Sequence, residues 1–145
     1  ALMPIAPAAA DVDAIDSAPL RACVAAAAAD AEALRACAGV VAHPCYETPE
    51  GQSTVGMMMC LDAEGGAWEQ LLSEAQAHLA VSEPHTQAAL EAAHDAWLAY
   101  REAECNYRVV RWGEGSGARV ALAICSAQLT ADRAQLLLVQ ERAGN

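Results

Sequence analysis

The residues of this chain with most chemistry to offer are six cysteines and four histidines: Cys23, Cys37, Cys45, Cys60, Cys105 and Cys125, with His43, His78, His85 and His94. Thiolates and imidazoles hold zinc when they recur at short, fixed spacings, and neither CxxC nor a paired Cys/His spacing is present. His78 and His85 flank a turn and share no i, i+4 face, and HExxH is missing. Met57-Met58-Met59-Cys60 offers thioethers and a thiol to a soft ion such as Cu(I). Consecutive helical residues point in different directions, so these four cannot converge on one ion, and core packing is the better reading. No serine elbow, carboxylate pair or Cys–His nucleophile stands out; Glu102 and Glu104 are two apart and face different ways on a helix. The expectation is a protein that is not an enzyme and carries no metal or cofactor.

The elements that position these residues are helical. About a quarter of the 145 residues are alanine and phenylalanine is absent. Alanine is the best helix former and buries little area, so helices should meet closely around a thin core. Ser17 followed by Ala18-Pro19 reads as a helix start, with Ser17 as N-cap. A short helix to about residue 28 and a second over 31–41, ending near His43-Pro44, make a hairpin. Residues 44–53 read as a turn-rich loop. Ser53 or Thr54 caps a long helix to about 81, which Gly65-Gly66 weakens and can kink. Further helices are expected over 84–112 and 117–142, joined by the glycine-rich turn 113–117. The fold class is all-α: three long antiparallel helices with a short N-terminal hairpin, stapled by disulfides.

An even cysteine count in so short a chain reads as three disulfides and an oxidising, periplasmic or secreted setting. No signal peptide opens the chain, and Ala1 is expected to be a processed start. Cys105 and Cys125 flank the turn between antiparallel helices and can face each other. Cys45 lies in a loop that can fold back onto Cys60. Cys23 and Cys37 are symmetric about Asp30, where the hairpin turns. If 23–37 were one helix their Cα atoms would lie about 21 Å apart, too far for a bond.

Cys60, Glu64 and Trp68 fall at i, i+4, i+8, as do Trp97, Arg101 and Cys105. Each trio shares one helix face. Together they suggest a packed seam in which Arg101 pairs with Glu64, or less favourably with Asp95 or Glu104, because a buried arginine needs an acid.

The formal net charge is −11, with eight arginines and no lysine. Residues 1–95 hold 14 acids against Arg21 and Arg35, a formal −12, and residues 96–145 sum to +1. Phosphate backbones and anionic membranes attract cationic surfaces, so nucleic acid and membrane surfaces are excluded as partners. No stretch reaches the length of a membrane span. The acidic field either steers a cationic partner or simply keeps an alanine-rich protein in solution.

Ala96-Trp97-Leu98-Ala99-Tyr100-Arg101-Glu102-Ala103-Glu104-Cys105 resembles the WxxYRxxEC signature of the LprI-type lysozyme-inhibitor-like family. The glycine-rich stretch 113–117 follows, then Cys125-Ser126-Ala127-Gln128-Leu129-Thr130-Ala131-Asp132-Arg133, similar to its closing CxxxLTxxR element. Upstream, Ser53-Thr54-Val55-Gly56-Met57, Cys60, Glu64 and Trp68 resemble its first core helix. After Trp68 the chain departs from the family: Glu69 stands for an Asp, and Ser73-Glu74 follows Leu72 where the family has Asn and then Tyr. The resemblance covers about residues 37–140 and implies a secreted or periplasmic helical domain over 44–145, preceded by a flexible segment 1–16 and the hairpin 17–43. It also implies a protein partner, a cationic muramidase of the lysozyme type. The nominated contact loops are 46–53, with Tyr46, Glu47 and Glu50, and 113–117, with Glu114 and Ser116. Trp97, Arg101, Thr130 and Arg133 read as a structural motif first and a binding surface second. The competing reading is an accessory subunit of an envelope assembly, held through an apolar, alanine-rich helix face.

Overall fold

A computed structural model describes residues 15–144. All but the last two residues of the expected lead-in 1–16 lie outside that range. The elements are α1 (Ala18–Ala27), α2 (Ala31–Ala36), α3 (Ala42–Tyr46), a 3-10 turn (Glu50–Gln52), α4 (Thr54–Ser82), a second 3-10 turn (Pro84–Thr86), α5 (Gln87–Trp112) and α6 (Gly117–Ala143), with no strand among the described residues.

Two helix starts follow side-chain capping chemistry. Asp30 accepts from the N–H groups of Glu32 and Ala33, and Ser53 from that of Gly56, which starts α2 and α4. The cap expected at Ser17 is not formed. Its backbone (φ −94°, ψ 1°) is not the extended cap conformation, and Asp16 Oδ1 accepts from Ala18 N at 2.9 Å instead. The helix expected over 31–41 stops at Ala36, and Gly39 turns the chain at φ 95°. The following stretch is also not the plain loop expected: α3 begins at Ala42. Pro44 sits in its first turn, where a missing N–H costs nothing, so His43-Pro44 opens a helix rather than closing one. Gly65-Gly66 does not break α4, which is continuous, and a Cβ on Gly65 would make only ordinary van der Waals contact with Ala127 Cβ at 3.5 Å, so packing against α6 does not demand the glycine.

The α4–α6 pair is the spine. Gly65 meets Ala127 and His78 meets Glu141 (2.7 Å), partners 62 and 63 positions apart, so the two helices run parallel with their first residues level. Helix α5 returns antiparallel between them in sequence and lies mainly against α6. One core joins the hairpin to the spine: Leu20 and Val24 of α1 and Leu34 of α2 pack with Trp68, Leu72 and Leu137, all essentially inaccessible. From α5 only Leu90 and Trp97 reach its edge. Arg142 donates to the carbonyls of Val24 (2.8 Å) and Ala28 (2.7 Å), tying the end of α6 to the end of α1. Arg21 pairs with Glu74 at 2.8 Å and holds that carboxyl below the usual carboxylate range, although both side chains are about half exposed and the pair adds little.

The disulfides are Cys23–Cys37 across the hairpin, Cys45–Cys60 from α3 to α4, and Cys105–Cys125 from α5 to α6. These are the pairs that chain geometry suggested.

Candidate functional site

Two places gather the residues singled out by the sequence: a seam along α4, α5 and α6, and the end of the bundle where α4 and α6 begin.

At the seam, Arg101 does not pair with Glu64. Its Nη1 donates to Glu69 Oε2 and to Thr130 Oγ1, both at 2.9 Å, and the guanidinium lies 4.6 Å from the Trp97 ring centre. Glu69 is five residues beyond Glu64, about 140° further round the helix, and it is Glu69 that faces α5. Glu64 points the other way and is buried. Its Oε2 accepts from Gly39 N at 2.9 Å, and its Oε1 from Val41 N at 3.0 Å and Ala42 N at 3.1 Å. The turn at Gly39 leaves those N–H groups without helical partners, and the carboxylate satisfies them. The weaker candidates fail too: Glu104 bonds Arg108 one turn on, and Asp95 is solvent-exposed.

His94 stacks on Trp97 at 5.8 Å, and the register set by Cys105–Cys125 brings Arg133 to the level of Trp97. Arg133 is half-buried, its Nε without a hydrogen-bond partner. Trp68 stands apart from this seam, fully buried in the core. The signature side chains are thus occupied mainly with one another. Because Glu69 is 45% exposed, Arg101→Ala should cost about 1–2 kcal/mol rather than the larger penalty of orphaning a buried acid. Urea unfolding checks this; a loss above about 3 kcal/mol would mean that Arg101 carries a buried pair after all.

At the bundle end, loops 46–53 and 113–117 lead into α4 and α6, which start level. The first is braced in three ways. Cys45–Cys60 ties its root to α4. Thr48 Oγ1 donates to the Cys45 carbonyl (2.7 Å) and accepts from Gly51 N (3.1 Å). A Cβ on Gly51 would collide with the carbonyl oxygen of Cys45, and one on Gly56 with that of Glu50. Backbone therefore lies directly on backbone, and Glu47, Thr48, Pro49 and Glu50 are held outward and exposed. Tyr46 is half-buried; burial first, and then the Glu64 charge, raise its hydroxyl above the ordinary tyrosine range, so it stays neutral. Beside the loop opens a cleft of about 700 Å³, lined by Ile15, Pro19, Val40, Val41, Met59 and the Cys45–Cys60 bridge, with Asp16 and Glu50 on it.

The second loop turns through Gly113 (φ 96°) and Gly115 (φ 110°), with Glu114 and Ser116 exposed. Exposed Arg111 and Arg119 flank it. The acidity of this end therefore belongs to loop 46–53. Gly39 and Gly51 are not singled out by the sequence, and Gly56 enters there only within the Ser53–Met57 resemblance, although a glycine in the first turn of a helix, where alanine is preferred, is a readable signal. No group of three His, Cys, Asp or Glu side chains that could hold a metal occurs among the described residues.

A family model described as lysozyme inhibitor LprI matches residues 45–137. The chain belongs to that family. The match takes in the braced loop, the Arg101 seam and two of the three disulfides, and begins just after the hairpin. LprI is an inhibitor family rather than a catalytic one. No curated protein and no solved structure matches the chain. No helix among the described residues is long and apolar enough to cross a membrane.

Proposed function

We propose that this LprI-family protein is a periplasmic or secreted inhibitor of lysozyme-type muramidases and docks through the bundle end, with loop 46–53 as the principal contact. The observation that carries the reading is the bracing of that loop. A disulfide and two backbone-to-backbone contacts at glycines hold Glu47 and Glu50 outward, so little ordering remains for binding. Tyr46 supplies a neutral, amphipathic contact, and Glu114 and Ser116 form the margin. Lysozymes are commonly cationic, and the −12 of residues 1–95 provides long-range steering towards them. The three disulfides fit an oxidising compartment.

The test is inhibition of cell-wall lysis by the oxidised protein against a panel of lysozymes. Glu47→Lys with Glu50→Lys should raise the inhibition constant about 10- to 100-fold and leave the melting temperature unchanged. Association by the unmodified protein should slow between low and physiological salt. No inhibition of any lysozyme class at micromolar protein in low salt overturns the proposal. The accessory-subunit reading would then lead, supported by the exposed outer face of α5.

A further inference from the structure

Helix α5 presents an anomaly of packing. It is 26 residues long, yet Cys105 is its one buried residue. Helices in folded proteins owe most of their stability to a packed face. The outward face of α5 is nevertheless apolar: Ala93, Ala96, Tyr100, Ala103, Tyr107 and Val110 are all exposed, Tyr100 by 55%, Tyr107 by 56% and Val110 by 70%. Their spacing alternates three and four, the period of a helix seam that receives another helix.

We propose that this face is the dimer interface of the protein, with α5 of a second copy packed antiparallel against it. Two features select a second copy in that direction. The first is shape. An antiparallel pair about a two-fold axis between positions 101 and 102 sets Ala93 against Val110, Ala96 against Tyr107 and Tyr100 against Ala103 of the other copy. Every large side chain then meets an alanine, as interdigitating layers require. A parallel pair in register would set tyrosine on tyrosine and leave alanine facing alanine. The second feature is charge at the two ends of the face. Arg101 and Arg108 are turned into the seam, on Glu69 and Glu104, so the exposed Arg111 is the cation at the C-terminal end, and the exposed Glu91 and Asp95 stand near the N-terminal end. Antiparallel packing brings Arg111 to the end that carries Glu91 and Asp95 of the other copy, and parallel packing sets arginine beside arginine.

The helix is about 39 Å long. A single helix pair of that length falls near the lower limit of specific interfaces, so the dimer should dissociate on dilution. It leaves both copies of loop 46–53 free at opposite poles. On the docking proposed above, the dimer would engage two muramidases at once.

Sedimentation of the oxidised chain from about 10 to 500 µM tests the interface without reference to inhibition. The expected result is a monomer–dimer equilibrium. Ala96→Glu alone and Tyr107→Lys alone should each weaken it about a hundredfold, with helix content and melting temperature unchanged. The double variant should regain self-association, because the antiparallel register brings each glutamate to the other copy's lysine. A monomer at every concentration, or a dimer indifferent to Ala96→Glu, overturns the interface. Failure of the double variant to recover overturns the antiparallel arrangement.

Discussion

Glu64→Ala should cost about 3–5 kcal/mol, a loss as large as truncating a fully buried aromatic side chain. Three backbone N–H groups, of Gly39, Val41 and Ala42, lose their acceptor at once in a site from which water is excluded. A domain of this size has about 5–15 kcal/mol in all, so the variant stands near the edge of folding. Glu64→Gln separates shape from hydrogen bonding. Its carbonyl oxygen can still serve Val41 and Ala42, which share Oε1, but its amide then confronts the Gly39 N–H donor against donor. It should fall between wild type and alanine. Urea unfolding measures the loss, and hydrogen exchange localises it: the amides of Gly39, Val41 and Ala42 should lose protection in Glu64→Gln before the rest of the fold does. Stability within about 0.5 kcal/mol of wild type for Glu64→Ala would show that the turn at Gly39 is held by other contacts.

Glu64 also marks where the sequence became unreadable. Its spacing with Trp68 and Cys60 was visible, and a charged residue on that face called for a partner. The partners are main-chain N–H groups, which have no residue identity and leave no pattern in the sequence. The matching i, i+4, i+8 spacing offers Arg101 to Glu64, whereas the acid that Arg101 meets, Glu69, lies outside that set of positions. Pro44 shows a second ambiguity: proline ends helices and also begins them, and which occurs depended on Gly39 having already turned the chain. By contrast the three long helices were legible to within a few residues, because Ser53, Pro84 and the glycines at 113–117 act locally. The disulfide pairs followed from those boundaries and from the hairpin turn at Asp30. The sequence suggested an apolar, alanine-rich helix face without assigning it to α5, since a seam facing another helix of the same chain and one facing a second molecule have the same spacing.

Removing Cys45–Cys60 and removing Cys105–Cys125 should have similar costs in stability and different costs in function. The closures span 15 and 20 residues, and each bond should contribute about 3 kcal/mol by restricting the unfolded chain. Replacement of either pair by alanines should therefore lower the melting temperature comparably while leaving the helices formed at low temperature. The functional consequences diverge because of what each bond holds. Cys45–Cys60 anchors the root of loop 46–53, and without it the contacts at Gly51 and Gly56 must hold the loop alone. Its removal should raise the inhibition constant by about tenfold or more, since the loop must then be ordered on binding. Cys105–Cys125 fastens α5 to α6, and neither helix packs on α3 or the 3-10 turn that carry loop 46–53, so its removal should leave inhibition near wild type. Measurements well below both melting temperatures keep the comparison free of unfolded protein. The opposite ranking, with inhibition lost on removal of Cys105–Cys125 and spared on removal of Cys45–Cys60, would move the contact to the turn at 113–117. Glu114, between two flanking arginines, would then have to meet the partner without the acidic field that steers the approach.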